Sequence, residues 1–303
     1  MKKLTLIMLL ITVVLVQLVA WPVDKILAEE KDIEKHPDWK TLEQIFGRKG
    51  TVQDGVFKVT LPRSDLKVKV GEVMIEPGLA LTGWLAFKPH GNETMMMGDL
   101  VLLDTEVPPV ISKLSSSGID ITALHNHLIN EIPSVMYLHV EGHGKPTKLA
   151  ENVKTALAKT GTPLTQPSGI PQPSTFDWSK VEAIMGRKGH RSGNLLQFNI
   201  SRAETITENN VVIPPFMGVA SPINFQAVGK KAATAGDFVL LASEVNPVVR
   251  ALEEHGLTVT AIHNHMLFES PRLFFLHFWG YDNLEKLARG LKAALEKTNH
   301  VKE

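Results

Sequence analysis

The chain is a tandem duplication, and this feature limits its possible folds more than any other. Ordered matches recur along the whole chain at an offset of 138 or 139 residues, with one residue gained or lost between copies. The spacing is too long for a solenoid, whose repeats run to ~20–50 residues. The matched pairs include 38–50 with 177–189, Gly98-Asp99 with Gly236-Asp237, and 125–127 with 263–265.

The repeats define the predicted domain boundaries. Residues 38–160 are predicted to form the first repeat domain and residues 176–303 the second. Between them, residues 161–175 contain four prolines together with Gly, Ser and Thr. Such a composition predicts an extended, semi-rigid linker, because it cannot form a hydrophobic core.

Each copy has the same predicted order of elements. A short helix at 39–46 or 178–185 is followed by alternating strands, a helix, two more strands and a last amphipathic helix. This order predicts an α+β fold: two tandem copies of one layered α/β-sandwich-type domain, with a mostly antiparallel sheet and helices on one face.

The first 28 residues are typical of an export signal. Lys2 and Lys3 precede an uncharged apolar run from Leu4 to about Ala20. The run exceeds the ~7–15 residues of a cleaved signal and approaches the ~20 needed to span a bilayer. Residues 1–28 are therefore either a signal peptide, cleaved after Ala28, or an uncleaved N-terminal anchor. Both predict an exported protein, secreted or attached to the outer face of the membrane, with no other membrane contact.

Composition narrows the possible partners. The 32 basic and 32 acidic residues give a formal net charge of zero, which argues against nucleic-acid binding. The sequence contains no cysteine, so disulfides, thiolate metal sites and cysteine nucleophiles are excluded. Any metal must be bound by nitrogen and oxygen ligands, and the remaining partners are a small molecule or a cell-envelope ligand.

Six of the twelve histidines occupy equivalent positions in the two copies. Residues two apart on a strand share a face, so the two histidines of each His-Asn-His triplet are expected on one face. If the chain turns back at Pro133 or Pro271, the third histidine of each copy lies directly across from the second. The predicted metal ligands are His125, His127, His139, His263, His265 and His277.

The acidic residue in each intervening loop, Glu131 or Glu269, is predicted to be a fourth ligand or a general base. Three imidazoles and a carboxylate suit zinc, copper, iron or manganese, and an open coordination position would allow metal-assisted hydrolysis. Whether the protein is an enzyme stays open at this point. The alternative is a non-catalytic cell-envelope interaction module whose histidines are structural and bond to backbone carbonyls.

The histidine strands resemble a known family. Residues 261–280 read AIHNHMLFESPRLFFLHFWG, and Gly236-Asp237 and Glu244-Val245 precede them. In these motifs the chain is similar to the LppY/LpqO family of bacterial exported proteins, whose domain has no established function. The resemblance extends over 38–300 and implies export and two domains, but no reaction. Members named for the family are lipoproteins, whereas this chain lacks the cysteine that such lipidation needs.

Overall fold

The computed structural model of the protein describes residues 37–165 and 176–302. The predicted export segment, residues 1–28, and residues 166–175 of the predicted linker lie outside these ranges. Within them, no helix is long and apolar enough to cross a membrane.

The first copy is built from long antiparallel strands, with two short strands, β3 and β4, in an excursion between them. Its strands are β1 (Thr51–Gln53), β2 (Val56–Pro62), β3 (Lys69–Val70), β4 (Val73–Met74), β5 (Thr82–His90), β6 (Glu93–Leu103), β7 (Asp120–His125), β8 (Glu131–Ile132) and β9 (Val135–Gly144). Its helices are α1 (Pro37–Phe46), α2 (Pro77–Ala80), α3 (Val107–Ser116) and α4 (Pro146–Leu157).

The second copy repeats this order, with a 3₁₀ turn at Pro215–Met217 in the place of α2. Its strands are β10 (His190–Ser192), β11 (Leu195–Ser201), β12 (Ile206–Glu208), β13 (Val211–Ile213), β14 (Ala220–Val228), β15 (Lys231–Leu240), β16 (Thr258–His263), β17 (Glu269–Ser270) and β18 (Phe274–Asp282). Its helices are α5 (Ser179–Met185), α6 (Ala242–Glu254) and α7 (Leu284–Leu295).

Each copy forms one six-stranded sheet. The strand orders are β1-β2-β5-β6-β9-β7 and β10-β11-β14-β15-β18-β16, and neighbouring strands are antiparallel. Two three-stranded sheets, β4-β3-β8 and β13-β12-β17, lie beside them. The α+β prediction of two tandem, mostly antiparallel domains is confirmed.

Helices cover one face of each sheet, as predicted. In the first copy α1, α3 and α4 pack on alternate side chains of the central strands, such as Leu85, Phe87 and Leu138. In the second copy α5, α6 and α7 pack in the same way on Phe225, Phe238 and other residues. The alternation of side chains along a strand sends the neighbours of these residues to the opposite face, which these three helices do not cover.

That opposite face, here called the open face, is covered by two arms that lie between the sheets, and each arm contacts both its own sheet, as at Val101 or Val239, and the sheet of the other copy. Residues 66–81, the first arm, pack with Ala233 and Ala235 on the open face of the second sheet. Residues 206–219, the second arm, pack with Met95 and Met97 on the open face of the first sheet. The exchange makes the two copies an internal pseudo-dimer.

Equivalent side chains fasten the two arms. Lys58 Nζ donates to the carbonyl oxygen of Phe216 in the second arm at 3.1 Å, and its counterpart Gln197 donates through Nε2 to Gly78 in the first arm at 2.8 Å. In the same way Lys88 Nζ reaches Val212 at 2.7 Å, and Gln226 Nε2 reaches Met74 at 2.7 Å. Where the first copy uses lysine, the second uses glutamine.

A buried ion pair is also duplicated. Arg202 Nη1 lies 2.7 Å from Glu244 Oε2 and donates to the carbonyl of Val239 at 2.6 Å. Arg63 and Glu106 form the matching pair in the first copy, at 2.7 Å. Each pair joins the strand before an arm to the start of the helix that precedes the histidine strand.

Replacing Arg202 by Met is expected to destabilise the fold by ~3–5 kcal/mol, because the carboxylate of Glu244 stays buried without its cation. The control Lys286→Met breaks the exposed pair with Asp282 and is expected to cost ~1 kcal/mol or less. Urea unfolding of both variants measures the difference. Equal losses in the two variants would contradict a structural role for the buried pair.

Candidate metal centre

The predicted histidines lie on and beside two pairs of strands. His125 and His263 end β7 and β16, His139 and His277 lie within β9 and β18, and His127 and His265 follow in the loops. The predicted register was wrong. His139 pairs with Ala123 and His125 pairs with Tyr137, so His127 lies beyond the end of β7 rather than across from His139. The strand stops at His125 because the chain turns there, and Asn126 Nδ2 donates to the carbonyl of Leu128 at 2.8 Å within the turn.

The six imidazoles form one cluster, where the sequence predicted one site in each copy. Equivalent strands approach each other across the open faces, so each ring stacks on a ring of the other copy. The ring centroids of His125 and His263 are 3.5 Å apart, and His139 and His265 are 3.7 Å apart. His127 and His277 follow at 3.8 Å. The packing of the two copies therefore brings the two predicted sites together in one cluster.

One nitrogen atom of each ring is buried and has no hydrogen-bond partner among the described residues. In all six histidines this atom is Nε2, and it is inaccessible to solvent. At His125 and His263 the other nitrogen, Nδ1, lies 3.3 and 3.1 Å from a backbone carbonyl, that of the next residue. A carbonyl can only accept, so Nδ1 carries the proton and Nε2 presents a lone pair.

The nitrogen atoms are close enough to share a metal ion. Two overlapping groups have ligand atoms within 4.8 Å of one another and share His125. One group contains three histidines of the first copy, and the other draws ligands from both copies. Their members are His125, His127 and His139 in the first group, and His125, His263, His265 and His277 in the second.

Burial keeps these imidazoles neutral. Desolvation and the neighbouring rings lower the pKa of His125 to about 3, and desolvation lowers the pKa of His263 to about 4. The pKa values of the other four lie well below the ordinary value for the same reasons. A neutral imidazole is the form that binds metal, so the ligands need not lose a proton at neutral pH.

Two aspartates join the cluster. Asp99 Oδ1 lies 3.8 Å from His139 Nε2, Asp99 Oδ2 lies 4.0 Å from His127 Nε2, and Asp237 Oδ2 lies 3.9 Å from His277 Nε2. Two ligands of one ion, each bonded at ~2.0–2.2 Å, can be no more than ~4.4 Å apart, so all three distances are compatible with a shared metal.

Burial raises the pKa values of the two aspartates, whereas it lowers those of the histidines. It raises the pKa of Asp99 to about 8, partly offset by the charge of Lys58, and raises the pKa of Asp237 well above its usual range. The sequence carried a signal for both residues, since Gly-Asp recurs at the same place in the two copies inside an otherwise apolar strand. Sequence reasoning had assigned them no role.

Glu131 and Glu269 occupy a different position. Oε1 of Glu131 accepts from the backbone nitrogen of Val135 at 3.3 Å, and Oε1 of Glu269 accepts from Leu273 at 3.1 Å. Arg272 also contacts Glu269, at 3.1 Å. Each carboxylate thus binds the backbone of its own loop, and neither is in the two ligand groups. Their predicted role as general base stays a prediction.

Contacts between the copies hold the loop that carries His127. Thr260 lies at a bulge in β16, and its hydroxyl donates to the carbonyl oxygen of His127 at 2.6 Å. Asn126 Nδ2 donates to the carbonyl of Thr260 at 3.2 Å. A residue of the second copy therefore positions a histidine of the first, which supports treating the cluster as one centre.

A cavity of about 280 Å³ opens beside the cluster, between the two sheets. Its inner end is formed by His127, His139, His265, His277, Asp99 and Asp237, and its walls include Lys58, Thr60, Trp84, Gln197, Asn199 and Asn224. The inner end is symmetric between the copies, whereas the walls are not. The first copy supplies Lys58, Thr60 and Trp84 where the second has Gln197, Asn199 and Pro222.

The raised pKa of Asp237 makes a prediction for the metal-free protein. An acid whose pKa is higher in the folded state binds more protons there, so its contribution destabilises the fold as the pH rises above the unfolded pKa of ~4. Asp237→Asn removes this contribution. In the presence of a chelator, the stability of the variant relative to wild type is expected to increase by up to ~1.4 kcal/mol per pH unit between pH 5 and 7.5. Urea unfolding at the two pH values measures it, and a constant difference would contradict the burial of an uncompensated carboxyl group.

Comparison with known proteins identifies a family without a known activity. No curated protein matches the chain. Two solved structures resemble it only loosely: a trimeric bacterial microcompartment shell protein, PduB (11% identity, 84% of this chain and 96% of that one, TM-score 0.24), and EtuB from Clostridium kluyveri (7% identity, 82% and 88%, TM-score 0.19). TM-scores this low carry no argument. The profile described as Domain of Unknown Function (DUF1259) matches twice, at residues 40–159 and 179–297, and the chain belongs to this family.

Proposed function

We propose that the protein binds a divalent transition metal at the six-histidine centre between its two copies. The observation that carries the proposal is the set of six buried Nε2 atoms without a hydrogen-bond partner. An unsatisfied buried polar group costs ~1–3 kcal/mol, so six of them together would consume much of the stability of an ordinary domain. Coordination to a metal ion would satisfy these Nε2 atoms and remove the unfavourable free energy.

The donor set favours particular metals. Imidazole nitrogen suits zinc, copper and iron, whereas manganese is better served by a carboxylate-rich site. With at least three neutral imidazoles in each ligand group, zinc, copper and iron are the stronger candidates among the four predicted metals. Both groups share His125, so two ions can bind together if His125 serves only one group. The cross-copy group keeps three histidines without it, whereas the first-copy group keeps two, which Asp99 can complete.

The alternative of purely structural histidines has less support. That reading expects each ring to be satisfied by backbone carbonyls. Carbonyl contacts satisfy Nδ1 of His125 and His263, but they leave every Nε2 atom unpartnered. The cavity at the open side of the cluster is a further feature that a structural role does not require.

A hydrolytic activity is a second candidate function. The cavity brings Asp99 and Asp237 beside the proposed metal ligands, and a carboxyl group with a raised pKa in such a position can act as a general base toward a metal-bound water. These residues fit the role of base better than Glu131 and Glu269, which bind loop backbone. Export and membership in the LppY/LpqO family are proposed on the sequence of residues 1–28 and 261–280.

Metal content tests the proposal directly. The wild-type protein, purified without a His tag, is expected to contain zinc, copper or iron at one or two equivalents per chain. A variant with His263, His265 and His277 changed to Ala is expected to lose the metal of the cross-copy group, since it lacks three of that group's four ligands, whereas the three ligands of the first-copy group remain. Elemental analysis gives the amounts.

The matched control replaces two exposed histidines, His90→Ala and His190→Ala, and is expected to keep the full metal content. Circular dichroism establishes that each variant is folded. Wild-type protein that stays metal-free after incubation with each ion would contradict the proposal, as would a control that loses as much metal as the triple variant.

A further inference from the structure

We propose that the cavity beside the metal centre binds a small organic carboxylate, with its carboxylate group between Lys58 and the metal. The inference rests on the proposed metal site and extends it by assigning a class of ligand. Three features of the cavity support it: the charge balance of its buried groups, the asymmetry of its walls, and its size.

The charge balance of the cavity favours an anion. The two aspartates contribute at most two negative charges, a single divalent ion contributes two positive charges, and Lys58 adds one more. The buried centre then carries an excess of one positive charge, and a second metal ion would increase it. Uncompensated charge in a low-dielectric interior is strongly unfavourable, so an anionic ligand from solution is favoured.

The asymmetry of the walls favours the Lys58 side of the cavity as the position of the anion. On the second-copy side, Gln197 and Asn224 already donate to arm carbonyls, those of Gly78 and Leu79, at 2.8 and 3.0 Å. On the first-copy side, one of the three N–H groups of Lys58 donates to the carbonyl oxygen of Phe216 at 3.1 Å. Its remaining donors are available to a ligand, and its ammonium group lies 4.2 Å from the centroid of Trp84.

The walls favour a carboxylate over a phosphate. Trp84 and Leu79 provide an apolar surface for an organic body next to the ammonium group. Asp99 and Asp237 line the same space and repel a dianion more strongly than a monoanion. The volume of about 280 Å³ leaves room for a small organic ligand.

Titration calorimetry on the metal-loaded protein tests the inference with three probes: benzoate, its neutral isostere benzamide, and inorganic phosphate. Benzoate is expected to bind at least tenfold more tightly than benzamide or phosphate. The Lys58→Gln variant, which takes the residue found at this position in the second copy, keeps a donor for Phe216 but loses the charge. It is expected to bind benzoate at least tenfold more weakly.

The matched control is Lys88→Gln. Lys88 also fastens the second arm through a single bond, to Val212, but does not line the cavity, so its loss reproduces the structural effect without the charge effect. Its affinity for benzoate is expected to stay within twofold of wild type. Equal weakening in both variants, equal binding of benzoate and benzamide, or tighter binding of phosphate would each overturn the inference.

Metal content, measured on each sample before titration, separates the two proposals. Wild-type protein that holds its metal but does not bind benzoate would contradict the carboxylate site alone. Wild-type protein that takes up no metal would contradict the proposed function. It would also contradict the carboxylate site, since the charge balance assumes a bound divalent ion. Lys58→Gln is expected to keep the wild-type metal content, because Lys58 is not a ligand.

Discussion

The packing of the two open sheet faces is the constraint on which the rest of the structure depends. The large helices of each copy cover only the other face, so the two arms pack between the open faces and contact both sheets. The same packing brings the histidine strands together and stacks each imidazole on one from the other copy. A single copy could bury neither its open face nor its imidazoles in this way, which gives the duplication a physical reason.

Much of the fold could be predicted from the sequence, because its signals are local. The repeat, the amphipathic helices and the alternation of apolar residues predicted the element order, the antiparallel sheets and the helix-covered face. The register of β7 against β9 could not be predicted in this way. It depends on the turn after His125, where Asn126 bonds to Leu128, and a turn placed at Pro133 gave a different pairing.

The candidate site was predicted in part, for a similar reason. The six histidines were found because they recur in both copies, but their union in one centre depends on how the copies pack, which no local pattern records. Asp99 and Asp237 also recur in both copies, but no role was predicted for them, since an aspartate beside a glycine is common in turns. Their significance becomes visible only when the strand is seen to be buried on both faces.

The cluster of histidines and aspartates is symmetric between the copies, whereas the walls of the cavity beside it are not. The histidines and aspartates are the same in both copies, whereas Lys58 and Trp84 face Gln197 and Pro222 across the cavity. A duplicated domain can keep a shared metal site while one copy diverges to select a ligand. In this account both copies supply histidines to the metal site, and the side chains of the first copy, Lys58 and Trp84, determine which organic ligand binds.

The central claim is that one centre, built from both copies, binds metal. Crystallography of the metal-loaded protein at the absorption edge of the bound ion tests it most directly. The account predicts an anomalous peak between the copies, within ~2.0–2.2 Å of Nε2 atoms that belong to both of them. Peaks found only at a surface histidine such as His90, or only at ligands from one copy, would contradict it.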